Sequence, residues 1–136
     1  MLIVDTGPLV AAADRSDRHH HACVELLETA TGPLVTTAMV VAEVVYLVTR
    51  ELGAHAEAAF YDAIIDGTLT VEPITRHDWQ RVRELVDRYA DLPLGGTDAS
   101  LIAIAERLEV TRVATLDRAH FHVIRPAHCD AFELVP

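Results

Sequence analysis

The chain has 136 residues and is 51 % apolar, enough for one domain with its own core and no metal or disulfide staple. Twenty-one acidic against eleven basic residues leave a net charge of −10, which excludes gripping nucleic acid by bulk charge but not through acids gathered around bound cations. Every basic residue is arginine, and the absence of lysine excludes P-loop phosphate binding, Schiff-base chemistry and a lysine general base.

Asparagine is missing too, and a GC-rich genome accounts for both absences. The N-terminus lacks the basic leader and cleavage site of a signal peptide, and no apolar run approaches the length of a membrane span. Cys23 and Cys129 have neither metal nor redox spacing. These features predict a cytoplasmic protein with reduced thiols and no membrane association, organised as a single domain over 1–136.

Residues 2–4 predict a buried strand, and the segment from Pro8 a helical turn. Asp17 is placed to cap a helix through HHHACVELLETA. A strand at 34–36 leads into a long buried helix starting near Thr37 and closed by Gly53. A further helix covers AHAEAAFYDAII, stopped by Gly67, and LTVEPI predicts a strand ending at Pro73. Thr75 caps RHDWQRVRELVDRYA, where Trp79, Val82, Leu85, Val86 and Tyr89 fall at helical spacing. After the loop DLPLGG, Thr97 caps DASLIAIAERL, RVATL forms a strand ending at Asp117, and last strands are expected near FHVI and FELV. Strands alternating with helices imply an α/β fold with a mostly parallel sheet covered on both faces.

In such sheets the binding crevice lies beyond the carboxyl ends of the strands, where Asp5 and Asp117 fall. Glu43 stands inside the apolar run AMVVAEVVYLV, so its carboxylate is expected among buried side chains or at their edge, needing compensation. An arginine partner or a neutral, hydrogen-bonded acid would supply it. Asp98 is equally explained by the helix dipole, Asp117 by a turn, and Asp5 as a helix cap. Taken together, parallel α/β packing brings all four to one rim, where their mutual repulsion calls for a cation. Oxygen-only ligands suit Mg²⁺ or Mn²⁺ rather than zinc.

The stretches LIVDTGPLVAAAD, VVAEVVYL, DLPLGGTDASLIAIAERL and VATLDRAHF resemble, in order and spacing of their acids, the PIN-domain family and in particular the VapC-type toxins of toxin–antitoxin pairs. The resemblance spans essentially the whole chain. It implies a PIN-like three-layer fold and a metal-dependent endoribonuclease in which Asp5, Glu43, Asp98 and Asp117 hold one or two Mg²⁺ or Mn²⁺ ions. The ions would ionise a water for in-line attack on phosphate, leaving a 5′-phosphate and a 3′-hydroxyl. Thr6 and Thr115 would orient ligands from behind, and Asp91, common in related toxins, reads also as a loop residue. Implied partners are an RNA (transfer or ribosomal), a VapB-like antitoxin and a second copy of the chain.

Arg15, Arg18 and Arg118 are placed near the rim to contact RNA phosphates, or are solvated surface arginines. His19, His20 and His21 point in different directions on a helix and read as its exposed start, while His120 and His122 read as packing residues. Two other classes remain. Asp5-Thr6-Gly7 also spells the aspartic-protease triplet, but that enzyme needs a mostly β scaffold. A receiver domain has acids at strand ends but relies on a lysine. A non-catalytic module on the PIN scaffold stays open as well.

Overall fold

The computed structural model describes residues 1–136 and places five three-residue strands in one sheet: β1 (Leu2–Val4), β2 (Leu34–Thr36), β3 (Leu69–Val71), β4 (Arg112–Ala114) and β5 (Glu133–Val135). Their order is β3-β2-β1-β4-β5, and every neighbouring pair is parallel. The flanking helices are α1 (Thr6–Ala13), α2 (His20–Thr29), α3 (Ala38–Leu52), α4 (Ala54–Ile65), α5 (Arg76–Arg88), α6 (Gly96–Arg107) and α7 (Arg118–Val123). The sheet grows outward from β1 to β3, then the chain returns to the other side of β1 for β4. That reversal between β1 and β4 opens a crevice beyond their carboxyl ends.

LIV and LVT are buried throughout, as expected of strands covered on both faces. The first of them packs on α6, in which every residue from Ala99 to Ala105 is buried. A helix apolar on all sides belongs in a core, and α6 lies against α5, α3 and β1. Its far end is fixed by charge: the Arg81 guanidinium grips both Glu106 oxygens at 2.8 and 2.9 Å, and Arg107 reaches Asp78 at 3.0 Å and Glu72 at 2.9 Å. Asp78, 1 % exposed, also closes a capping box with Thr75. Gly53, at φ +86°, ends α3 and begins α4, a left-handed backbone that glycine adopts without strain.

Several local expectations differ. α1 begins at Thr6, before Pro8, with Asp5 as its cap. Asp17 accepts from the His19 N–H at 2.7 Å but stands outside α2, whose first flanking residue is His19. Gly95, not Thr97, precedes α6. FHVI is not a strand; it falls at the end of α7 and just beyond it. On α5, Val82 and Leu85 are buried whereas Trp79 and Val86 are exposed, so its apolar stripe exceeds the face that packs. No helix is long and apolar enough to cross a membrane.

Candidate functional site

A groove of about 680 Å³ opens at the β1/β4 reversal, lined by Asp5, Thr6, Glu43, Asp98, Asp117 and His120 together with Gly7, Leu47, Pro93, Gly95, Thr97 and Leu116. Each acid arrives on a different element. Asp5 ends β1 and caps α1, Glu43 projects from α3, Asp98 lies in the first turn of α6, and Asp117 precedes α7.

Buried hydroxyls lock these elements together. Thr36 Oγ1 on β2 donates to the Val4 carbonyl at 2.8 Å. Ser100 spends its proton on the Thr97 carbonyl at 2.7 Å, so Thr37 Oγ1 is the donor in the 2.8 Å Thr37–Ser100 contact joining α3 to α6. The elements carrying Glu43 and Asp98 are thereby held in register. Gly7 permits the last approach, because a Cβ there would meet the Leu116 side chain at 3.2 Å, beside Asp117.

Asp5 is 5 % exposed; its Oδ1 accepts from the Thr6 N–H at 2.7 Å and its Oδ2 from the Thr115 hydroxyl at 2.8 Å. Burial raises its pKa from the ordinary 3.8 to about 6, aided by the charges of Asp98 and Glu43 and opposed by the two hydrogen bonds. The cap and the strand-end acid are therefore one residue in one geometry. Asp98 is also raised, chiefly by burial, with Asp117 and Glu43 adding repulsion and His120 countering it. Its Oδ2 lies 3.0 Å from His120 Nδ1, which is 3.2 Å from Asp117 Oδ2.

Glu43 corrects one premise. It is exposed and lines the groove, because Val40, Val44 and Val48 form the inward face of α3. The apolar run around it concealed which face was which. Thr115 donates to Asp5 while accepting from the Asp117 N–H at 3.1 Å, so it touches both acids from behind. Thr6 presents a buried hydroxyl with no hydrogen-bond partner.

Arg15, Arg18 and Arg118 are exposed and none lines the groove; Arg118 turns to the Pro136 carbonyl and Arg18 to His19. Asp91 is exposed outside it. His120 is the functional candidate that sequence reading passed over. Its signal was the Asp117-x-x-His120 spacing, which places both side chains together only if the segment turns as a helix.

The donor set suits a hard divalent cation. Carboxylates forced upward in pKa by burial and by one another are relieved by positive charge among them, and the orphaned Thr6 hydroxyl adds an unused oxygen. Asp98, Asp117 and His120 offer ligand atoms within 4.8 Å of one another, while Asp5 and Glu43 line the groove outside that cluster.

Acids gathered at the reversal point of a parallel sheet fit the resemblance noted in the sequence, and residues 2–125 match the PIN domain. The chain belongs to the PIN-domain family. It is 30 % identical to Ribonuclease VapC26 of Mycobacterium tuberculosis over 135 residues, 99 % of this chain and 100 % of that protein. Among solved structures, VapC20 of Mycobacterium tuberculosis, a Sarcin-Ricin loop cleaving toxin, superposes with a TM-score of 0.78 at 20 % identity, covering 83 % of this chain and 87 % of that one. A toxin–antitoxin complex from Klebsiella pneumoniae gives 0.71 at 18 % identity over 100 % and 97 % of the two chains.

Proposed function

We propose that the chain acts as one unit, a VapC-type endoribonuclease toxin that uses Mg²⁺ or Mn²⁺. The observation that carries this reading is the convergence of Asp5, Glu43, Asp98 and Asp117 on one groove at the sheet's reversal. The whole-length similarity to a VapC ribonuclease supports it independently.

In this reading Asp5, Glu43, Asp98 and Asp117 would hold the cation between them. A divalent cation supplies there the charge that makes a water acidic near neutral pH and offsets charge building on the attacked phosphate. Thr115 fixes the direction of the Asp5 carboxylate and ties it to the Asp117 backbone. The substrate is RNA, with transfer and ribosomal RNA as the classes to test, and Arg15, Arg18 and Arg118 hold its phosphates outside the groove. A small VapB-like antitoxin restrains the enzyme, which pairs as a homodimer.

The test is cleavage of total RNA by purified protein in Mg²⁺ or Mn²⁺, with chelator and with Asp5→Asn as controls, mapping the 5′ ends. Metal-dependent cuts lost in the variant are expected. Intact RNA despite bound metal would overturn the nuclease and favour a non-catalytic module. Replacing the three arginines should weaken binding and flatten its salt dependence.

A further inference from the structure

His120 is the one nitrogen donor in a groove otherwise furnished with oxygens. Its Nδ1 faces Asp98 Oδ2 at 3.0 Å and Asp117 Oδ2 at 3.2 Å, so one nitrogen addresses two carboxylates at once. A single N–H is well aligned to only one acceptor. An ion in octahedral geometry, with ligands at about 2.1 Å, sets adjacent ligand atoms about 3.0 Å apart. The His120–Asp98 contact is a hydrogen bond and the His120–Asp117 contact is of similar length. Both spacings also fit such an edge, so an ion could replace the shared proton without moving the three side chains far.

The local fold explains the placement. Asp117 is the residue flanking α7 and His120 stands three positions on, so the two side chains rise from the same side of one short helix. Asp98 comes to meet them from the first turn of α6. Thr6 lines the same groove and carries a buried hydroxyl with no hydrogen-bond partner, so polar capacity beside these ligands is unspent.

We propose that His120 is itself a metal ligand, binding the cation through Nδ1 beside Asp98 and Asp117. This rests on the metal-centre reading above and adds the ligand that sets its selectivity. Imidazole binds first-row transition ions better than it binds Mg²⁺, which prefers oxygen and keeps its waters. A mixed oxygen–nitrogen centre therefore favours Mn²⁺ over Mg²⁺ beyond what the carboxylates alone achieve.

The experiment is pulsed electron paramagnetic resonance of the Mn²⁺-loaded wild-type protein, alongside Mn²⁺ and Mg²⁺ affinities of wild type and His120→Ala. The wild type should show nitrogen modulation from a coordinated imidazole, and the variant should lose it. Mn²⁺ affinity should fall at least about tenfold while Mg²⁺ affinity changes much less. Bound Mn²⁺ without nitrogen modulation overturns the assignment, as does modulation that persists in His120→Ala or an equal loss for both ions. Each of these leaves the ribonuclease reading standing, to be judged by RNA cleavage. Failure of wild type to bind either ion overturns both. If His120→Ala does not fold, His120→Gln takes its place, and a wild-type spectrum without nitrogen modulation overturns the assignment on its own.

Discussion

The Thr115 hydroxyl donates to Asp5 Oδ2 at 2.8 Å, joining residues 110 positions apart, and the same oxygen accepts from the Asp117 N–H at 3.1 Å. Removing that hydroxyl releases two acids together. Thr115→Val should lower RNA cleavage by about 10–100-fold and weaken metal binding. It should also cost about 1–3 kcal/mol, because the Asp117 N–H loses its acceptor. Thr115→Ser should recover most of both, and single-turnover rates with urea unfolding would measure it.

Asp5 titrates at about 6 in the fold against an ordinary 3.8, so between those values the folded protein keeps a proton that the unfolded chain has released. Stability of the chelator-treated protein should fall as pH rises from about 4 through about 6, by up to about 3 kcal/mol, and level off above. Asp98 is raised too and acts in the same direction. Asp5→Asn should remove most of this slope and make the chelator-treated protein more stable at pH 8 while abolishing cleavage. Urea unfolding across the pH range would check both.

Adding the cation should reverse that loss. At about 100 times its dissociation constant a divalent ion stabilises the fold by about 2.7 kcal/mol. Thermal melts at pH 8 with Mg²⁺, Mn²⁺ or chelator should order accordingly. The RNA products should carry ligatable 5′-phosphates, and a 2′,3′-cyclic phosphate among them would contradict attack by water.

At the other end of α6, Arg107 is the ionic partner of the buried Asp78. Arg107→Ala should lower stability by about 2–4 kcal/mol, since it strands a carboxylate away from water. The cleavage rate of the folded fraction should be little changed. Replacing Arg107 and Asp78 together by apolar residues of similar size should recover part of the loss.

Gly7→Ala places a methyl 3.2 Å from the Leu116 Cβ. The adjacent segment carries Asp117, so the variant should lose more activity than stability. A loss of fold matching the loss of cleavage would show Gly7 to be a packing residue only.

Much of this was legible because short apolar runs between helices leave few alternatives. LIV, LVT and the helix AHAEAAFYDAII stand where pattern puts them. FHVI was misread because four largely apolar residues carry no period that separates a strand from a helix end. His120, read as a packing residue, meets Asp98 through the turn of α7, which no local pattern announces. Glu43 was placed in the right groove for a wrong reason: a run apolar on every side cannot reveal which face of α3 is inward, and the carboxylate proved exposed. The Thr37–Ser100 and Thr115–Asp5 contacts join distant segments, and nothing local announces them.

The unbroken burial of α6 from Ala99 to Ala105 has an evolutionary corollary. Asp98 rides at the head of a rod that tolerates little change anywhere along its length, whereas Leu47, Pro93 and Leu116 surround the acids from less confined positions. Substitutions that survive selection will therefore accumulate around the mouth and spare the floor. On this scaffold the rim around the acids is the part left free to change while the backbone beneath them is held.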